Sequence, residues 1–123
     1  MRILLLMVFG AAGALARYSL QGLVYYRAAP AFPTGTLVVN LLGCFLLGAV
    51  WRFGMNHLGV PPEWRIALTI GFLGSFTTFS TFAWETVRML EDGEWTKAVV
   101  YLGASIVGGL FAVMLGIRFG NAF

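Results

Sequence analysis

Charge is nearly absent from this sequence, histidine and cysteine occur once each, and every one of these shortages closes off a class of protein. Only 11% of the 123 residues are charged, where a soluble domain carries roughly a quarter. With 59% hydrophobic residues, the composition is that of an integral membrane protein. At roughly 20 residues per span, the length holds four helices and leaves no room for a soluble catalytic domain or a nucleotide-binding module. The single histidine, His57, falls in a predicted loop and gives no basis for a metal site or a transmembrane proton relay. The single cysteine, Cys44, lies inside a predicted span, so no internal disulfide is possible. The net charge of +3 does not point to nucleic acid, because the basic residues lie mostly at span ends, where they anchor to lipid headgroups.

What is present is apolar sequence in four lengths that each span a bilayer. The pattern predicts an all-α membrane protein forming one domain, with helices over about residues 3–26, 34–52, 64–88 and 95–119. Met1-Arg2, the apolar run 3–9 and Ala14-Leu15-Ala16 imitate a secretory leader with its small-residue cleavage site. The apolar character continues past Ala16 to Tyr26, however, and this reads as the first transmembrane helix. Small residues recur on helix 1 (Gly10, Gly13, Ala14) and every fourth position of helix 4 (Ala104, Gly108, Ala112, Gly116), which lets neighbouring helices approach closely.

Few polar residues lie within the spans. Arg17 in helix 1 reads either as a snorkelling arginine or as a fixed positive charge facing an aqueous vestibule, where it attracts anions. Asn40 in helix 2 reads as a hydrogen-bonded bridge between helices, although its NH₂ can also donate to an anion. Glu85 is expected to reach the interface or to pair with Arg88. In helix 4, Tyr101 and Ser105 share a face and can line a path.

The densest polar stretch is Gly71-Phe72-Leu73-Gly74-Ser75-Phe76-Thr77-Thr78-Phe79-Ser80-Thr81-Phe82, in the middle of the third span. Glycines and hydroxyls loosen a helix in lipid, so a break is predicted near Gly74 to Thr78. Carbonyls freed there must be satisfied, either by the Thr77 and Thr78 hydroxyls or by a small hard cation. Beyond the break, Phe79 and Phe82 share a helical face while Ser80 and Thr81 point elsewhere. Phenylalanines in a span are usually packing, but their ring edges carry partial positive charge and suit a small anion stripped of water.

Charge gives no clear orientation. Arg2, Arg52, Arg65 and Arg118 fall on one side of the predicted bundle, and Arg27, Arg88 and Lys97 on the other. That balance is compatible with insertion both ways, hence with an antiparallel homodimer about a two-fold axis in the membrane plane.

Gly13-Ala14-Leu15-Ala16-Arg17-Tyr18, the run Gly35 to Gly43 (Gly-Thr-Leu-Val-Val-Asn-Leu-Leu-Gly) and the central stretch, in this order, resemble the Fluc (CrcB) fluoride channels over essentially the whole chain. The resemblance implies a dual-topology antiparallel dimer in a prokaryotic plasma or inner membrane, with two separate pores passing fluoride passively out of the cell and no enzymatic activity. It implies that the Phe79 and Phe82 ring edges line those pores beside Asn40. Ser80, Thr81, Tyr101 and Ser105 match polar pore-side positions, Arg17 matches a vestibule arginine, and Gly74 and Thr77 match residues whose carbonyls hold a central sodium ion. The partners implied are fluoride, a second copy of the chain and the lipid bilayer.

A small dual-topology proton-coupled multidrug antiporter is the alternative, since it too has four helices and this length. It needs a membrane-embedded carboxylate, and helix 1 has none.

Overall fold

The computed structural model describes residues 1–27, 31–57 and 59–123, together with the side chains of these residues except Met55. Part of the predicted first loop (28–30) and one position of the second (58) lie outside the described residues. Among the described residues the fold is all helical: α1 Arg2–Arg27, α2 Thr34–Asn56, α3 Pro62–Ile66, a π-helical segment Ala67–Leu73, α4 Gly74–Phe76, α5 Phe79–Glu91 and α6 Trp95–Asn121. Four stretches of the described residues are long and apolar enough to cross a membrane, the third being Pro62–Glu91 taken end to end. The helices outrun the predicted spans at several ends: α2 continues to Asn56, and the third stretch runs from Pro62 to Glu91.

Helix boundaries follow local chemistry. Pro62 opens α3 at a position whose N–H has no helical partner, and Glu63 stands in the first turn, where the helix dipole favours an acid. After α5 the chain turns at Gly93, whose φ of 75° a residue with a Cβ reaches only with strain. The Gly93 N–H returns to the Leu90 carbonyl at 3.1 Å and closes the helix end.

Packing divides the molecule in two. α2 and α6 lie along each other, with backbones in contact: a Cβ on Gly116 would strike the Phe45 carbonyl, one on Gly48 the Val113 carbonyl, and one on Gly120 the Ala49 carbonyl. Gly109, Gly116 and Gly120 are the buried glycines of α6, so the contact stripe is rotated slightly from the predicted one, which ran through Ala104 and Ala112. α1 instead packs on the π-helical segment, with Gly13 directly against the Phe72 carbonyl and Gly71 facing Phe9 and Leu6. In lipid no hydrophobic gain drives apolar side chains together, so these close backbone approaches are what association rests on. Gly13 is the only buried residue of α1; Leu6, Phe9 and Gln21 are half-buried along its inner face, and much of the remainder is exposed, toward lipid or another chain.

Candidate functional site

The site begins where the third stretch leaves helical geometry. Thr77 (φ −87°, ψ 159°) and Thr78 (φ −149°, ψ 112°) are extended, between α4 and α5. An uninterrupted helix would send the Thr78 N–H to the Gly74 carbonyl. Here it donates instead to Asn40 Oδ1 at 2.8 Å, while Asn40 Nδ2 donates to the Thr78 carbonyl at 3.0 Å. The Asn40 side-chain amide therefore serves both backbone groups of one extended residue, and the donor on Thr78 fixes which amide atom is the oxygen. Gly43 makes room for this arrangement, since a Cβ there would collide with the Thr77 methyl.

The hydroxyls at the junction are spent locally. Thr77 Oγ1 donates to the Leu73 carbonyl at 3.0 Å. Thr78 Oγ1 accepts from the Thr81 N–H at 3.3 Å, capping α5, and donates to Thr81 Oγ1 at 3.0 Å. Among the described residues, no turn or cap hydrogen bond reaches the carbonyls of Gly74 or Thr77.

Beside the junction runs a groove of about 340 Å³, with Asn40, Gly74, Thr77, Phe79, Phe82 and Ser105 among its walls. Six of the sequence-predicted residues thus meet on one surface. Phe79 is 79% exposed on the single chain, whereas Phe82 is only 8% exposed. Their ring centroids stand 5.7 Å apart. Phe82 continues onto the fully buried Tyr101 at 5.1 Å in an edge-to-face contact, and Tyr101 onto Phe32 at 5.6 Å. The result is an aromatic row from mid-span to the helix ends. The Tyr101 hydroxyl and Ser105 Oγ are buried and, among the described residues, have no hydrogen-bond partner. Ser80 is exposed, Thr81 is held by Thr78, and Arg17 is half-buried on α1; none of these three lines the groove.

Behind Phe82 lies a polar cluster that the sequence reading did not assemble. Glu85 does not pair with Arg88: Thr36 Oγ1 donates to Glu85 Oε1 at 2.5 Å, and the Arg88 guanidinium stands 5.9 Å from the centre of a Trp84 ring. Gln21 Nε2 donates to Thr36 Oγ1 at 3.3 Å, and the Tyr25 hydroxyl meets the same oxygen at 3.5 Å. The signal for Glu85 was in the spacing, since residues 79, 82 and 85 recur every third position on one helical face. Thr36 carried no such signal, because a lone threonine near a helix start is ordinary.

The family model described as "CrcB-like protein, Camphor Resistance (CrcB)" matches residues 4–117. The chain is 52% identical over 110 residues to the "Fluoride-specific ion channel FluC" of Geobacter metallireducens, covering 89% of each chain. It is 44% identical over 120 residues to the protein of the same name from Nitratidesulfovibrio vulgaris (98% of this chain, 97% of that one). To that of Acidobacterium capsulatum it is 45% identical over 112 residues, covering 91% and 90%.

Proposed function

Because this chain belongs to the CrcB-like family, we propose that it is a passive, fluoride-selective channel working as an antiparallel homodimer with two pores. It is a multi-pass protein of the prokaryotic cell membrane and a transporter-type protein rather than an enzyme. The observation that carries the reading is the Phe79–Phe82–Tyr101 row beside a mid-span groove that also holds Asn40 and Ser105.

Ring edges present partial positive charge to an anion without a full charge that would trap it. The unpartnered Ser105 and Tyr101 hydroxyls and the second N–H of Asn40 replace part of the lost hydration shell. Arg17, Ser80 and Thr81 lie off this groove on the single chain; in the proposed dimer Arg17 raises the local anion concentration at the vestibule, and the exposed Ser80, with Thr81 whose oxygen accepts from Thr78, completes the polar pore wall. Fluoride that enters a cell as the weak acid is trapped as the anion at higher internal pH. The negative interior then drives it out, at about 2.3 kcal/mol per charge per 100 mV. No coupling ion or nucleotide is required.

The groove is open on the single chain and Phe79 projects from it, which supports closure by a second copy. With the two junctions meeting at the dimer axis, the Gly74 and Thr77 carbonyls, which lack turn or cap partners, suit a sodium ion. Such an ion supplies positive charge that stabilises the junction.

Protein reconstituted in liposomes loaded with fluoride or chloride provides the test. Fluoride should leave rapidly once a potassium ionophore is added, and chloride should stay. Equal release of both anions, or of neither, sinks the proposal. A proton-coupled cation exporter would use the half-buried Glu85 carboxylate, and would show substrate-driven proton uptake with no fluoride release.

A further inference from the structure

The π-helical segment leaves one carbonyl over. At its end the Gly74 N–H reaches the Thr69 carbonyl, five residues back, and is shared with Gly71; an α-helix would send it to Ile70. Beyond Gly74 the bonding is α-helical again, with the Thr77 N–H on the Leu73 carbonyl at 3.0 Å. Where bonding to the fifth residue back reverts to the fourth, one carbonyl is passed over, and here it is that of Ile70. The Thr69 hydroxyl beside it is spent on the Arg65 carbonyl at 2.7 Å. Ile70 is 65% exposed on the single chain, and a bare carbonyl is too costly to leave facing hydrocarbon. Something other than lipid tails must meet this oxygen.

Ile70 lies on the wall of two furrows, of about 420 and 350 Å³, that continue the groove beside the junction. Thr69 lines all three, Leu47 joins the first to the second, and Trp51 joins the second to the third. The series ends at Pro62, where α3 begins, and Arg65 forms part of the wall there. The Arg65 stem rests on Gly54, its Cδ 3.1 Å from where a Cβ would stand, and among the described residues no carboxylate pairs with its guanidinium. The furrow therefore has room for water and polar groups to hold it: the Ile70 oxygen, a lone pair of Thr69 and the Arg65 head.

From the passed-over carbonyl and the guanidinium at the mouth, we infer that this furrow is a water-filled arm of the anion path and that Arg65 draws the anion into it. The Ile70 oxygen repels an anion, so its part is to hold water where lipid would otherwise enter. A fixed positive charge at the mouth raises the local anion concentration. A second copy closing over the groove leaves this arm as the opening on the Arg65 side. The inference rests on the fluoride-channel reading above.

Accessibility is measured first, in liposomes with the reagent on both sides and Cys44→Ala as the background, so that no other thiol is present. A membrane-impermeant anionic methanethiosulfonate should modify Ile70→Cys. Val8→Cys, on the outward face of α1 at a similar depth from the same side and 57% exposed on the single chain, should stay unmodified. Leu47→Cys, further along the furrow, repeats the measurement should Ile70→Cys not fold. Furrow cysteines that react no faster than Val8→Cys mean that lipid or a second copy fills the furrow, and overturn the inference.

Fluoride efflux then tests Arg65. Arg65→Gln should lower it roughly two- to tenfold at low ionic strength, the effect of one unit charge near the path. The deficit should close as salt is added, because the Debye length falls from about 30 Å at 0.01 M to about 8 Å at 0.15 M. Arg65→Lys should restore efflux. A purely structural role for the guanidinium would leave a deficit that salt does not change; that result, or no deficit at all, overturns the assignment of Arg65. If the wild type releases no fluoride while Ile70→Cys is modified, the channel reading falls and the water-filled furrow stands.

Discussion

Between α2 and α6 the two backbones touch, with Gly48, Gly116 and Gly120 each against a carbonyl of the facing helix, and the side-chain hydrogen bond from Arg52 to Asn121 stands only at the end of that seam. At the junction of α4 and α5, 38 residues along from Asn40 of α2, the contact to that same helix is polar and specific: one asparagine amide against one extended residue. Both contacts use α2, but on different faces and with different physics. The first depends on the absence of side chains and tolerates any sequence that keeps them absent. The second depends on the presence of one particular side chain. A membrane protein thus gains rigidity from small residues and places its irregular backbone only where a neighbouring helix supplies the missing hydrogen bonds.

Substitutions can break either half of that contrast. The largest effect is expected from Gly116→Leu, which drives a side chain into the Phe45 carbonyl and the Ala49 backbone. Helix separation or local shifts cost at least 1–3 kcal/mol by overpacking alone, and the readout is loss of a monodisperse peak in detergent. Next, Asn40→Leu leaves both Thr78 backbone groups unpaired in an apolar setting, about 1–3 kcal/mol for each. Fluoride efflux should be lost and thermal stability lowered, with Asn40→Asp intermediate because it still accepts from the Thr78 N–H. Phe79→Ile and Phe82→Ile sharpen the contrast on the pore side: both should reduce fluoride efflux, but only Phe82, 8% exposed, should lower thermal stability measurably. Smaller still, Thr77→Val removes the bond to the Leu73 carbonyl and should cost about 1 kcal/mol in chemical unfolding. The smallest is Lys97→Ala, which deletes an exposed pair with Glu94 at 3.0 Å and should leave efflux unchanged and stability within about 0.5 kcal/mol.

The four spans were legible because length and apolar composition alone decide membrane crossing. The local softness of the third was legible too, since Gly74, Thr77 and Thr78 are poor residues for a regular helix in lipid. Asn40 was placed beside the pore through the family resemblance, yet its pairing with Thr78 joins positions 38 residues apart, and no local pattern announces a partner at that distance. The same holds for Thr36 and Glu85, 49 apart. Glu85 drew the reading toward its sequence neighbour Arg88 because helical spacing supplies near pairs, whereas the tertiary fold supplied a buried hydroxyl. The α6 contact stripe shifted for a related reason: spacing of four marks a possible seam, but the crossing with α2 selects which glycines occupy it.

The double hydrogen bond between Asn40 and Thr78 also bears on how the chain assembles. A backbone group left bare in hydrocarbon is expensive, so until α2 is docked the cheapest state of residues 62–91 is one continuous helix with the Thr78 N–H returned to the Gly74 carbonyl. The extended pair is then an outcome of assembly and not a property of the segment. A synthetic peptide of residues 62–91 in bilayers should accordingly show Thr78 with helical chemical shifts and slow amide exchange. Extended shifts at that residue in the isolated peptide would mean that the segment breaks by itself and α2 merely arrives to meet it.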